Sequence, residues 1–146
     1  MRSMREIWFR GKNPDNGKWY EGVYSPYNWD FFGMKSEIPQ IIILSEDKYL
    51  DGKWIEVIPE TVGQYTGLTD KNGKKIFDGD ILSAHFDESY PDDETLLLVG
   101  NNGYAFTLKE EDSAPEIINN DDMRFFDETF VVIGNVHDNP GLMRGE

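Results

Sequence analysis

The run Asn72-Gly73-Lys74-Lys75-Ile76-Phe77-Asp78-Gly79-Asp80-Ile81-Leu82-Ser83-Ala84-His85-Phe86 contains two apolar segments, Ile76-Phe77 and Ile81 to Phe86, each preceded by a glycine turn. A helix needs ten or more residues with apolar positions three and four apart, and no such period fits between Gly73 and Gly79. Short aromatic and β-branched runs bounded by Gly, Asn and Asp read as strands. Gly79-Asp80 makes a tight lead-in to the second strand, where the Asp80 carboxylate can accept backbone N–H groups while Ile81 turns to the core.

The same pattern continues on both sides. Downstream, Thr95 to Val99, Tyr104 to Leu108 and Phe130 to Val136 read as strands separated by Asn101-Asn102-Gly103 and acidic loops. Five strands at this spacing suit a small barrel or curled sheet. Upstream, Glu6 to Arg10 and Lys18 to Tyr24 form a predicted hairpin around Asp15-Asn16-Gly17, because Asn-Gly accepts the positive φ of primed turns. Ile41 to Leu44 reads as a buried strand, and Lys48-Tyr49-Leu50 with Lys53 to Ile58 as a second hairpin around Asp51-Gly52. Pro59-Glu60-Thr61 starts a single helical turn, with Gly63 and Gly67 preventing a longer helix. Pro115 to Asn120 and Asn139 to Met143 are the other expected helical turns. The expectation is a mainly β protein with very little helix, divided into an N-terminal hairpin subdomain, 1–60, and a second subdomain, 61–146.

Composition limits the function classes. The chain has 146 residues, room for one ordinary domain or two very small ones, and its 20 aromatics (14%) exclude a disordered polar chain. A net charge of −14 repels phosphates, so direct nucleic-acid binding and attachment to anionic membranes are not expected. With no cysteine there are no disulfides, zinc thiolates or cysteine nucleophiles, which points to a reducing cytoplasm. Met1 to Arg10 carries three arginines with no apolar run behind them, so neither a signal peptide nor a membrane span is expected. The charge is uneven: residues 85–128 carry 13 acids against Lys109 and Arg124, a net of −11.

No catalytic, cofactor or metal site is predicted. His85 and His137 lie in no metal-ligand spacing and read as strand-end residues whose rings the backbone satisfies. There is no P-loop, no GxGxxG and no nucleophile elbow, and the carboxylate clusters do not alternate as a cation loop requires. Two surfaces remain as candidates for binding a partner. The acidic stretch, with Asp92, Asp93 and Glu94 at its densest, reads either as solvated loops or as a mimic of nucleic-acid charge that occupies a partner's basic groove. The segment Tyr24 to Phe32, with Tyr27, Trp29, Phe31 and Phe32, reads either as a satellite hydrophobic cluster or as an aromatic anchor for a partner or a second copy.

Three blocks resemble the YopX family of small phage and prophage proteins. They are Arg5-Glu6-Ile7-Trp8-Phe9-Arg10-Gly11-Lys12 with Asp15 to Trp19 and Gly22, then Pro59 to Leu82 including Gly63-Gln64-Tyr65-Thr66-Gly67-Leu68-Thr69-Asp70, and Val132-Ile133-Gly134-Asn135-Val136-His137-Asp138-Asn139-Pro140. His137 stands where the family commonly has a tyrosine, and Gly141 where an acidic residue usually follows. The resemblance implies a β-rich fold with an SH3-like barrel in the C-terminal part, and it implies no activity, cofactor or substrate. Within the blocks, Gln64, Tyr65, Gly67, Asp70, Gly73, Gly79, Asp80, Gly134, Asn135, Asn139 and Pro140 read as structural groups that fix turns and strand ends. The resulting expectation is a cytoplasmic, non-enzymatic phage or prophage accessory protein that binds another protein or itself as a homo-oligomer. The alternatives are an acidic inhibitor of a host nucleic-acid-binding protein and, with least support, a carboxylate- or metal-dependent enzyme.

Overall fold

Alternating side chains and positive-φ glycines produce a mainly β chain. The computed structural model describes residues 8–25, 28–29, 35–36, 40–43, 53–85, 89, 93–119, 126 and 128–144. The strands are β1 (Phe9–Lys12), β2 (Trp19–Ser25), β3 (Asn28–Trp29), β4 (Lys35–Ser36), β5 (Gln40–Ile43), β6 (Lys53–Glu56), β7 (Gly63–Thr69), β8 (Lys75–Phe77), β9 (Asp80–Ala84), β10 (Thr95–Asn101), β11 (Phe106–Lys109), β12 (Glu116–Ile117) and β13 (Val131–Asn135). Helix is sparse among the described residues: 3₁₀ turns at Pro59–Thr61 and Leu142–Arg144, and helical backbone at Phe126 and Glu128. No helix of the described residues is long and apolar enough to cross a membrane.

The chain divides into two units, Met1–Tyr65 and Thr66–Glu146. In the first, β6, β5, β2 and β1 pair in that order, with Gly63 and Gln64 of β7 on the other side of β1. The turn between β1 and β2 is built by Asn13, whose Oδ1 accepts the N–H groups of Asp15 and Asn16, and by Gly17 at φ 70°. One face of this sheet is closed tightly. A Cβ on Gly11 would lie 2.7 Å from Val57 Cβ, so only glycine lets Val57 pack there at 1% exposure. Phe9 lies tilted against Tyr24 in the same unit, with ring centroids 5.6 Å apart. Arg10 is buried with its guanidinium 4.8 Å from the centre of the Trp19 ring.

In the second unit, β7 leads into β8, and a five-stranded antiparallel sheet follows in the order β12-β11-β10-β9-β13. Its core is Ile76, Leu82, Ala84, Leu97, Val99, Phe126 and Phe130, with Leu68, Leu108, Ile118 and Val132 packed around it. Phe126 meets Phe130 edge-on at 4.8 Å. Each such fully buried large side chain contributes about 1.5–3 kcal/mol through removal from water.

Several expected elements differ. Gly63–Thr69, where the glycines are expected to prevent a longer helix and no strand is expected, is a seven-residue strand in which Gly67 takes φ 86° and Thr66 Oγ1 donates to the Ile76 carbonyl at 2.8 Å. The expected helical turn at Pro115 to Asn120 is instead β12, because Glu116 and Ile117 find ladder partners in Leu108 and Thr107. The expected strand from Tyr104 begins at Phe106, and Tyr104 stands in the preceding turn, 97% exposed. β6 pairs with β5; Lys48-Tyr49-Leu50 and Asp51-Gly52, the expected second hairpin and its turn, lie outside the described residues.

Candidate functional site

The motif residues of the second unit meet along β13. Asp70 is 3% exposed, and its Oδ1 accepts the N–H groups of Asn72 at 2.8 Å and Lys74 at 2.9 Å. Its Oδ2 accepts the N–H of Val132 at 3.0 Å, across 62 residues of sequence. Lys71 N–H donates to the Phe130 carbonyl beside it at 2.9 Å. One carboxylate thus folds the turn after β7 and ties it to the start of β13.

The other end of β13 is fixed by a second set. Gly134 and Asn135 stand opposite Ile81 and Asp80, past an irregularity at Val132/Gly134. Asn135 Oδ1 accepts the N–H groups of His137 and Asp138, and Asn139 Oδ1 accepts Asn135 N–H at 3.2 Å. A Cβ on Gly134 would lie 2.5 Å from Asn139 Oδ1, so the close approach requires glycine. Gly79, at φ 96°, donates to the Val99 carbonyl and accepts from Val136 N–H at 2.9 Å. Asp80, 1% exposed, accepts Phe77 N–H through Oδ2 at 2.7 Å. Gly73, at φ 81°, donates to the Asp70 carbonyl, and Pro140 sits exposed in the turn after Asn139. In the first unit, Tyr65 is buried with its N–H on the Trp8 carbonyl, and Gln64 stands opposite Phe9. These groups satisfy backbone donors and acceptors and secure strand ends.

The predicted partner-binding residues are distributed differently. Tyr27, Phe31, Phe32 and Asp92 lie outside the described residues, and Trp29 forms β3 opposite Lys35 of β4. Asp93 and Glu94 are exposed. Among the described residues, Asp93 and Glu94 precede β10 and Glu110, Glu111 and Asp112 follow β11, at one end of the five-stranded sheet.

Glu94 also corrects the expectation for His85. The His85 ring lies with Nε2 3.8 Å from Glu94 Oε2, and the same oxygen accepts Ser83 Oγ at 2.8 Å. The serine donates directly to the carboxylate, with no imidazole between them, so the three do not form a nucleophile–base relay. No group of three or more metal-ligating side chains occurs among the described residues.

The surface that sequence reasoning missed lies on the first unit. The backbone of Ile42 stands opposite Val23 on one side and Trp54 on the other, so Val23 and Trp54 share one register position two strands apart. Val23 is 39% and Trp54 51% exposed. Alternation along Lys53–Glu56 shows that Trp54 shares a face with Glu56, a hint that this face meets water.

Comparison with curated proteins finds no match. Among solved structures, the chain is similar to the crystal structure of protein EF1440 from Enterococcus faecalis, with 26% identity over 96% of this chain and 99% of that one, and a TM-score of 0.58. The family model described as YopX protein matches residues 8–144. That match takes in all of the second and third motif blocks and most of the first, including the Asp70 and Asn135 clusters, and the chain belongs to the YopX family.

Proposed function

We propose that the chain is a phage- or prophage-encoded accessory protein that acts in the cytoplasm by binding another protein, without catalysis of its own. The observation that carries this reading is the half-exposed Trp54, at the same register position as the exposed Val23 two strands away. Tryptophan gives a large contact area at low rotamer cost and is enriched where interfaces concentrate their binding energy. Its test is quantitative capture from cell lysate with wild-type and Trp54→Ser baits of equal unfolding midpoint. A partner held by the wild type and lost by the variant is expected, and equal retention by both refutes the reading. Light scattering on the same pair distinguishes a second copy of the chain from a foreign partner.

A second reading is supported by Asp93, Glu94, Glu110, Glu111 and Asp112, which flank β10 and β11 at one end of the C-terminal sheet. In it, this end occupies the basic groove of a nucleic-acid-binding protein, gaining association rate through long-range attraction. Salt and competing DNA then both release the captured partner, and Trp54→Ser leaves it bound.

A further inference from the structure

Three Asn-Gly steps occur in the chain, at Asn16-Gly17, Asn72-Gly73 and Asn102-Gly103. Asparagine followed by glycine is the pair most open to spontaneous deamidation, because no side chain shields the following peptide nitrogen. By sequence the three are equivalent, and all three asparagines are exposed. The glycine nitrogens are also alike: Gly17 donates to the Asn13 carbonyl at 3.0 Å, Gly73 to the Asp70 carbonyl at 3.0 Å and Gly103 to Asn101 Oδ1 at 2.7 Å.

The side-chain amides separate them. Asn16 Oδ1 accepts Lys18 N–H at 2.9 Å, and its Nδ2 donates to the Tyr20 hydroxyl at 3.0 Å. Asn102 Oδ1 accepts the N–H groups of Tyr104 and Ala105, both at 2.8 Å. Asn72 uses only its backbone N–H, on Asp70 Oδ1, and no group among the described residues holds its side-chain amide. We propose that Asn72 is the site of spontaneous deamidation in the folded protein, while Asn16 and Asn102 are held away from the reacting geometry.

The reaction needs only water. The Gly73 peptide nitrogen gives up its proton and attacks Asn72 Cγ. The new C–N bond closes a five-membered succinimide, the Cγ–Nδ2 bond breaks, and the nitrogen leaves as ammonia with the proton. Water then opens the ring at either carbonyl, giving aspartate or isoaspartate; the net change is asparagine plus water to acid plus ammonia. Isoaspartate lengthens the main chain by one carbon between residues 72 and 73. That insertion falls inside the turn whose Asn72 and Lys74 N–H groups bind Asp70, the residue that also holds Val132. Ageing at this one position therefore loosens the attachment of β13.

The test incubates the intact folded protein in mildly alkaline buffer and follows the products by peptide mapping with cleavage before aspartate, where isoaspartate shows as a one-dalton gain on the peptide 70–77 and aspartate as a new cut before residue 72. Deamidation at Asn72 about tenfold faster than at Asn16 and Asn102 is expected, the factor that one or two ordinary hydrogen bonds withhold. Equal or faster reaction at either of the other sites overturns the proposal. In denaturant the three rates converge, and a ranking that survives unfolding overturns it as well. Tyr20→Phe removes the acceptor of Asn16 Nδ2 and raises the Asn16 rate severalfold, whereas an unchanged rate contradicts the holding mechanism.

Discussion

Replacing Asp70 by asparagine keeps the shape of the side chain and removes one of its two acceptor oxygens. The carboxylate serves three backbone N–H groups, two on Oδ1 and one on Oδ2. An amide oxygen placed toward Asn72 and Lys74 leaves its NH₂ facing the Val132 N–H, donor against donor. The loss is one hydrogen bond to a charged group, about 1.5–3 kcal/mol, together with part of the cost of a donor left unpaired; relief of the buried charge's desolvation offsets some of it. The expected net is about 2–4 kcal/mol, a large share of the roughly 5–15 kcal/mol that stabilises a domain. With a urea slope of about 1–3 kcal/mol per molar, the unfolding midpoint falls by about 1–2 M. Amide exchange localises the effect: Val132 N–H loses protection in the variant, while Phe77 N–H, held by Asp80, keeps it. A midpoint change worth less than about 0.5 kcal/mol, the ordinary surface value, refutes the clasp.

Gly134→Ala drives a Cβ into Asn139 Oδ1 and is expected to cost about 1–3 kcal/mol by thermal unfolding, with partial recovery when Asn139→Ser shortens the opposing side chain. Phe126→Ala removes a fully buried ring from the second unit and lowers stability by about 3–5 kcal/mol, read in the same assay. Trp54→Ser, half in water already, changes stability by less than about 1 kcal/mol, so a large loss of folding there contradicts its placement at the surface.

The β class was legible because turn chemistry is local: Asn13 to Gly17, Asp70 to Gly73 and Asn101 to Gly103 each satisfy their own backbone within a few residues. Elements whose formation depends on distant partners were not legible. Gly63 and Gly67 look like breaks, yet pairing of Gly63 and Gln64 with β1 and the bond from Thr66 to Ile76 hold the segment extended. Pro115 favours a helix start, but the ladder to β11 prevails two residues later. Asp70 was recognisable as a turn residue, whereas its reach to Val132 required the fold. The exposed positions of Val23 and Trp54 were hidden for the same reason: apart from the shared parity of Trp54 and Glu56, an apolar residue in a short strand does not show which side faces water.

β13 is the last strand of its sheet, and an outermost strand ordinarily offers its free amides to any extended chain that passes. Here the Val132 amide is occupied by Asp70 and the Asn135 amide by Asn139, while the Phe130 carbonyl is taken by Lys71. A neighbouring molecule that approaches this margin in register finds the template already filled by two short side chains and one main-chain amide of a turn. The second and third of the blocks that mark the family therefore also discourage fibrillar stacking and strand exchange between copies, and their loss should show as aggregation before it shows as unfolding.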